Sequence, residues 1–172
     1  MLTAKRAARL ALLTALALLA FLLEGLFPPL IPALPYVKLG LSNVFVLLCL
    51  LAWGPGEAAV LVAAKCLLGS LFSGVFSLAF SLPAGLLSLA VMTLLFRLLF
   101  PRCSACGLSM AGAVVHNLTQ LGVYAVMAGS SDIFALTPAV LLVSLPAGLL
   151  VGLIVFFCGK ILPPRIWSEG RS

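Results

Sequence analysis

Residues 58–96, AAVLVAAKCLLGSLFSGVFSLAFSLPAGLLSLAVMTLLF, are predominantly apolar and contain one charged residue, Lys65. A helix needs about 20 apolar residues to cross a bilayer, so this stretch is long enough for two membrane spans. The best turn signal inside it is Ser73-Gly74, because glycine adopts turn conformations at little steric cost. The stretch therefore predicts two membrane-spanning helices joined near residue 74.

The composition of the whole chain favours the same class of protein. Of 172 residues, 64% are hydrophobic and 8% are charged, and the mean hydropathy is +1.32. A soluble domain usually has about 25% charged residues. This composition excludes a soluble enzyme and a disordered chain. A nucleic-acid-binding domain is also excluded, because the net charge of +6 is thinly spread and lies mostly near the chain ends.

Further turn signals extend this pattern to an all-α integral membrane protein, a single domain folded as a six-transmembrane-helix bundle. Pro28-Pro29, Trp53-Gly54-Pro55-Gly56 and Pro101 end apolar segments, and the Pro-rich residues 28–35 form a loop. The predicted spans are residues 7–27, 39–53, 57–72, 76–99, 108–128 and 138–162.

The distribution of Lys and Arg predicts the orientation, because cytoplasmic loops are enriched in these residues. With the N-terminus inside, only Lys38 and Asp132 are charged on the outer loops, and the inner ends carry Lys5, Arg6, Arg9, Arg97, Arg102, Lys160, Arg165 and Arg171. We therefore expect a multi-pass protein of the plasma membrane with both termini in the cytoplasm. The alternative is a cleaved signal peptide made of the basic residues 5–9 and the apolar residues 10–20, but no clean cleavage site with a polar mature start follows.

Polar residues inside the predicted spans are the first candidates for function, because an ionisable group in hydrocarbon is costly. Lys65 lies eight residues after Glu57, about 12 Å along a helix. His116 and Gln120 are i, i+4 neighbours on one helix face, with Asn117 beside them. The second span begins near two further candidates, Lys38 and Asn43.

Each candidate also has a structural interpretation. Lys38 has a long side chain that can extend to the membrane interface. The set His116-Asn117-Gln120 is suited to joining helices through hydrogen bonds. Lys65 needs a carboxylate, a cluster of carbonyl groups or an anionic ligand, and Glu24 is expected near the opposite end of the membrane. The excess of buried positive charge favours a small anionic ligand.

Catalytic motifs are missing from the sequence. It contains no Walker A loop, no Asp-rich diphosphate–magnesium motif and no Ser/His/Asp set. Four acidic residues in the whole chain leave little for magnesium coordination. We expect a protein that is not an enzyme and that has no cofactor and no metal.

Three other patterns have two interpretations each. The repeat of SLPAGLL at 81–87 and 144–150 suits either the discontinuous helices of transporters or a reused Pro-kink packing solution. Cys103-Ser-Ala-Cys106, in the predicted cytoplasmic loop, is either a reactive pair or structural. The small residues Ala7, Ala11 and Ala15 repeat at i, i+4 and suit docking of a second helix, although Ala is common in any apolar helix.

Three segments together resemble one protein family. Residues 38–43, KLGLSN, resemble its K-L-G-L-(A/S)-N segment, and residues 65–74, KCLLGSLFSG, resemble its R-x-L-L-G-S-L-x-x-G segment. Residues 110–120, MAGAVVHNLTQ, contain a match to its G-A-x-x-H-N-x-x-Q segment. The family is labelled heptaprenyl diphosphate synthase component I, or the Gx transporter family, and the resemblance covers about residues 8–160.

This resemblance implies two functions. The family label implies a membrane component of prenyl diphosphate synthesis, next to a soluble prenyl diphosphate synthase subunit, or an isoprenoid- or quinone-binding subunit. The family layout is also similar to the substrate-binding subunits of energy-coupling-factor transporters, whose Ala-x-x-x-Ala face on the first span meets a transmembrane coupling subunit with ATPases. The lack of catalytic acids favours the second function, a non-catalytic substrate-capture subunit. The expected ligand-binding residues are Lys38, Asn43, Lys65, His116, Asn117 and Gln120, and the expected partner-docking residues are Ala7, Ala11 and Ala15.

Overall fold

The computed structural model describes residues 4–27, 39–99 and 103–161, and these contain α-helices, one 3₁₀ helix and no β-strand. The helices are α1 (Ala4–Glu24), α2 (Asn43–Trp53), α3 (Pro55–Ser73), α4 (Val75–Leu99), α5 (Ala105–Ala128), the 3₁₀ helix (Ser131–Leu136) and α6 (Thr137–Ile161). Lys38, the Pro-rich loop, Arg102, Arg165 and Arg171 lie outside the described residues.

Two glycines separate the helices around the stretch that begins at residue 58. Gly54 has a φ of 96° between Trp53 and Pro55, and Gly74 has a φ of 85° between α3 and α4. Positive φ angles of this size are accessible to glycine and rare for other residues. The predicted turn near residue 74 is confirmed, because α3 ends at Ser73 and α4 begins at Val75.

The second predicted span, residues 39–53, is too long, because α2 begins only at Asn43. The preceding residues form a turn in which the Asn43 amide donates to the Gly40 carbonyl at 2.8 Å and Gly40 has a φ of 78°. The Glu24 carboxylate accepts hydrogen bonds from the amides of Gly40 and Leu41. These contacts stabilise the turn, so the helix begins after it, at Asn43.

The other helices follow the predicted spans with small shifts. The third predicted span, residues 57–72, is short by two residues at its start and by one at its end, because α3 runs from Pro55 to Ser73. Proline suits the start of a helix, since it has no backbone amide hydrogen. The fifth, residues 108–128, begins earlier because the Ser104 hydroxyl accepts from the Gly107 amide and caps α5. Cys106 therefore lies in the first turn of α5 rather than in a loop, and Cys103 precedes that helix.

Four segments are long and apolar enough to cross a membrane, namely Ala4–Glu24, Pro55–Ser73, Val75–Leu99 and Ser131–Lys160. Helix α5 has 24 residues, but His116, Asn117 and Gln120 near its middle lower its mean hydropathy. Helix α2 has 11 residues, about 16 Å of helix, against about 30 Å of hydrocarbon. The findings thus give an all-helical fold with four candidate spans, compatible with a membrane protein.

The SLPAGLL repeat lies in continuous helices. Helix α4 runs through Pro83 and α6 runs through Pro146, so neither helix is discontinuous there. A Cβ atom on Gly148 would lie 2.6 Å from the Met110 Cα atom of α5, and one on Gly85 would lie 2.8 Å from a Val62 methyl group of α3. The repeat therefore allows close helix packing, which is the structural interpretation of this pattern.

The end of the bundle where α1 and α3 begin has its own polar contacts. Arg6 Nε lies 3.8 Å from a Glu57 carboxylate oxygen, and the Arg9 guanidinium lies 5.2 Å from the Trp53 ring centroid. The apolar core of the bundle lies next to these contacts. Its fully buried members include Leu47, Leu50, Leu61, Val62 and Leu108.

Candidate functional site

A cavity of about 710 Å³, counted with its open mouth, lies between α1, the turn before α2, α3, α4 and α5. Ligand cavities in proteins combine apolar walls with a few polar groups. This cavity has that character. Its lining residues are Phe21, Glu24, Leu39, Gly40, Ser42, Asn43, Lys65, Cys66, Ser77, Ser81, Ala113, His116, Asn117 and Gln120.

Lys65, in the middle of α3, is buried, with 6% of its surface exposed. Its ammonium group donates to the Ser42 hydroxyl at 3.0 Å and to the Asn43 amide oxygen at 2.9 Å. Hydrogen bonds from a charged donor are stronger than those between neutral groups. Lys65 therefore joins α3 to the start of α2 through two neutral oxygen atoms of this chain.

Glu24 lines the same cavity as Lys65, so the expectation that these residues lie far apart is wrong. The carboxylate is buried at the last residue of α1 and interacts electrostatically with Lys65. From the sequence alone, a residue at the end of α1 and a residue in the middle of α3 are expected at different depths in the membrane. Because the turn at residues 39–42 folds onto the end of α1, Glu24 is instead brought to the cavity wall.

The three polar residues of α5 have different surroundings. The Asn117 amide donates to the Ser144 hydroxyl of α6 at 2.9 Å, and that hydroxyl donates to the Val140 carbonyl at 2.6 Å. The His116 imidazole hydrogen-bonds to the Ala84 backbone of α4. His116 Nδ1 and Gln120 Oε1 are buried without a hydrogen-bond partner among the described residues.

Five of the predicted ligand-binding residues line this one cavity: Asn43, Lys65, His116, Asn117 and Gln120. The sixth, Lys38, lies outside the described residues, one position before Leu39 of the cavity wall. The Ala7, Ala11 and Ala15 side chains are exposed on α1 and do not line the cavity.

Several cavity residues were not among the predicted site residues. Ser77 and Ser81 line the cavity, although a serine in a membrane helix usually bonds its own backbone. Ser42 also lines the cavity, and its position beside Asn43 in the KLGLSN segment is the sequence signal for it. Phe21 and Cys66 are part of the wall, and neither stands out in an apolar sequence.

Comparison with known proteins gives a match to a protein family. None of the curated proteins matches the chain. The family model described as heptaprenyl diphosphate synthase component I matches residues 13–158, which is most of the chain. That match includes every described residue of the cavity wall. The chain therefore belongs to the heptaprenyl diphosphate synthase component I family.

Proposed function

We propose that the chain is a non-catalytic membrane subunit that captures a small, anionic molecule for a transporter of the energy-coupling-factor type. The observation that carries this proposal is the cavity, in which the buried Lys65 ammonium lies among polar groups of α5 and the turn before α2. Buried polar groups of this kind in an otherwise apolar bundle are costly, so they favour a role in binding.

The anionic character of the ligand is supported by the partners of Lys65. Ser42 and Asn43 each offer the ammonium a neutral oxygen atom, and neither carries a negative charge to balance it. Glu24, the acidic residue on the described cavity wall, interacts electrostatically with Lys65, and its carboxylate also accepts from the amides of Gly40 and Leu41. An anionic group on the ligand would give Lys65 a second negative partner inside the cavity.

The docking face for a transmembrane coupling subunit would be the exposed Ala stripe of α1, made of Ala7, Ala11 and Ala15. Small residues at i, i+4 let two helix backbones approach closely within a membrane. The coupling subunit would connect the chain to separate ATPases, since this sequence has no nucleotide-binding motif. The face and the cavity lie at different places on α1, so capture and docking would use different residues.

The membrane placement belongs to the same proposal. Six spans, with α2 and α5 crossing together with the four long apolar segments, would place both termini in the cytoplasm and the chain in the plasma membrane. The Lys and Arg distribution supports this orientation. Helix α5 is long enough for the span, and α2 would need local thinning of the bilayer or burial by its neighbours.

A second candidate function, a membrane component acting beside a heptaprenyl diphosphate synthase or binding an isoprenoid or quinone, is favoured by a smaller recess. This recess, of about 270 Å³ with its open mouth, is lined mainly by residues without a polar side chain, such as Leu47, Met92 and Val151, together with the polar residues Asn43, Ser88 and Ser109. It shares Leu39, Gly40, Asn43 and Ala113 with the larger cavity. A polar cavity next to an apolar recess would suit a ligand with a polar head and an apolar chain.

Native mass spectrometry of the protein purified from its own membranes tests the proposal. We expect a small, anionic, non-lipid molecule bound to the wild-type protein and to Lys160→Gln, which removes a cation outside the cavity. Lys65→Gln should lose that molecule. A bound prenyl diphosphate or quinone would favour the second function, and bulk lipid alone would contradict ligand capture.

A further inference from the structure

Two unpartnered atoms on one face of α5 specify more about the ligand than the charge of Lys65 does. Buried side-chain polar atoms without a partner in the described part of the chain are Trp53 Nε1, Thr93 Oγ1, His116 Nδ1 and Gln120 Oε1. Of these residues, His116 and Gln120 line the cavity. An i, i+4 pair has Cβ atoms about 5–6 Å apart on the same side of a helix. The two unpartnered atoms therefore belong to neighbouring side chains of one wall.

The Gln120 amide oxygen can only accept a hydrogen bond, and a neutral imidazole has one donor nitrogen and one acceptor nitrogen. The Ala84 amide lies inside α4, where it donates along the helix, so the Ala84 carbonyl is the group left to accept from His116. Because Nδ1 has no partner, we assign this hydrogen bond to Nε2, and in that tautomer Nδ1 is an acceptor.

Two donor groups of the cavity wall are directed to other partners within the chain. The Lys65 ammonium donates to Ser42 and Asn43, and the Asn117 amide donates to Ser144. Leaving a buried acceptor without a partner costs about 1–3 kcal/mol. Gln120 is only 5% exposed, so bulk water does not readily compensate its oxygen atom.

We propose that the captured molecule carries an amino group, as in a primary amide or an amino-substituted heterocycle, that donates to His116 Nδ1 and Gln120 Oε1. This inference rests on the proposed capture function and names its substrate class. The two N–H bonds of one –NH₂ nitrogen diverge by about 120°, so they reach two acceptors about 5 Å apart. The Cβ atoms of an i, i+4 pair are a similar distance apart. The anionic group near Lys65 would lie elsewhere on the same molecule.

Three probes that differ in one substituent of the same ring test this inference. Benzamide offers two N–H donors, benzoate offers an anion, and methyl benzoate offers neither. The protein is labelled with ¹⁵N-histidine and placed in phosphatidylcholine nanodiscs, because that headgroup has no N–H donor. His116 is the single histidine of the chain, so the labelled imidazole signals belong to it alone.

We expect benzamide to shift the His116 Nδ1 resonance and to raise the thermal unfolding midpoint, and methyl benzoate to do neither. Gln120→Leu should weaken benzamide binding at least about tenfold, which corresponds to about 1.4 kcal/mol. Thr93→Val is the matched control. It also removes a buried hydroxyl oxygen without a partner, but outside the cavity, so benzamide should still bind.

The remaining outcomes separate this inference from the capture function. Binding of benzoate alone, lost in Lys65→Gln, would overturn the amino-group inference and support capture of an anion. Equal shifts with benzamide and methyl benzoate would also overturn it, because the donors would then be irrelevant. A His116 shift without any probe, in phosphatidylethanolamine nanodiscs only, would support the donor pair and assign it to a lipid headgroup. If no probe shifts the resonance, the inference is wrong, and the native mass spectra decide separately whether capture is also wrong.

Discussion

The two sides of the cavity differ in how their polar groups are satisfied. On the α2–α3 side, the Lys65 ammonium is held by Ser42 and Asn43. On the α5 side, His116 Nδ1 and Gln120 Oε1 have no partner among the described residues. The α2–α3 side resembles a structural cluster that also carries charge. The α5 side resembles a binding surface whose acceptors have no partner in the ligand-free protein. Substitutions on the two sides should therefore affect stability and binding differently.

The largest loss of stability is expected for Lys65→Met. This substitution leaves the Ser42 and Asn43 oxygens without their charged donor, and the free energy of unfolding should fall by about 3 kcal/mol. Ligand binding should also be lost. The measurement is denaturant unfolding of the purified protein in detergent, with Lys160→Met as the matched control. An unchanged unfolding free energy for Lys65→Met would show that the cluster is not structural.

A smaller loss is expected for Asn117→Leu, because the Asn117 amide donates to the Ser144 hydroxyl of α6. Hydrogen bonds between membrane helices contribute about 0.6 kcal/mol on average and up to about 1.7 kcal/mol. A double-mutant cycle with Ser144→Ala should give a coupling energy of that size between α5 and α6. A coupling energy near zero would show that Asn117 does not join the two helices, and it would favour a ligand-facing role for this residue.

Stability should not fall in Gln120→Leu, although binding should be lost. The substitution removes a buried oxygen atom that has no hydrogen-bond partner in the ligand-free protein, so we expect the free energy of unfolding to stay unchanged or to rise by up to about 3 kcal/mol. Unfolding and native mass spectrometry on the same sample measure both effects. A loss of stability as large as that of Lys65→Met would mean that the two sides of the cavity do not differ.

The sequence predicted those parts of the fold that depend on local chemistry. Gly54 and Gly74 mark helix breaks that glycine and proline signals indicate, and the i, i+4 spacing of His116 and Gln120 gives their common face. Partners far apart in the chain were not predictable. The contacts of Lys65 with residues 22 and 23 positions away depend on how α2 packs against α3. The position of Glu24 depends on a turn whose geometry the sequence does not specify.

The smallest effect on the cavity is expected for Ala11→Leu on the exposed face of α1. Unfolding free energy and bound ligand should stay unchanged, whereas ATP-dependent uptake of the molecule found by native mass spectrometry should fall. Ala90→Leu, an exposed alanine of α4, is the control and should leave uptake unchanged. Equal uptake by both variants would contradict docking through the α1 face.

The most direct test of ligand capture is an experimental structure of the protein purified from its native membranes without added ligand. We predict density for a small non-lipid molecule in the cavity, within hydrogen-bond distance of His116 Nδ1 and Gln120 Oε1. A cavity that holds only water or lipid, or one in which the Gln120 amide turns to a partner within the chain, would contradict the account.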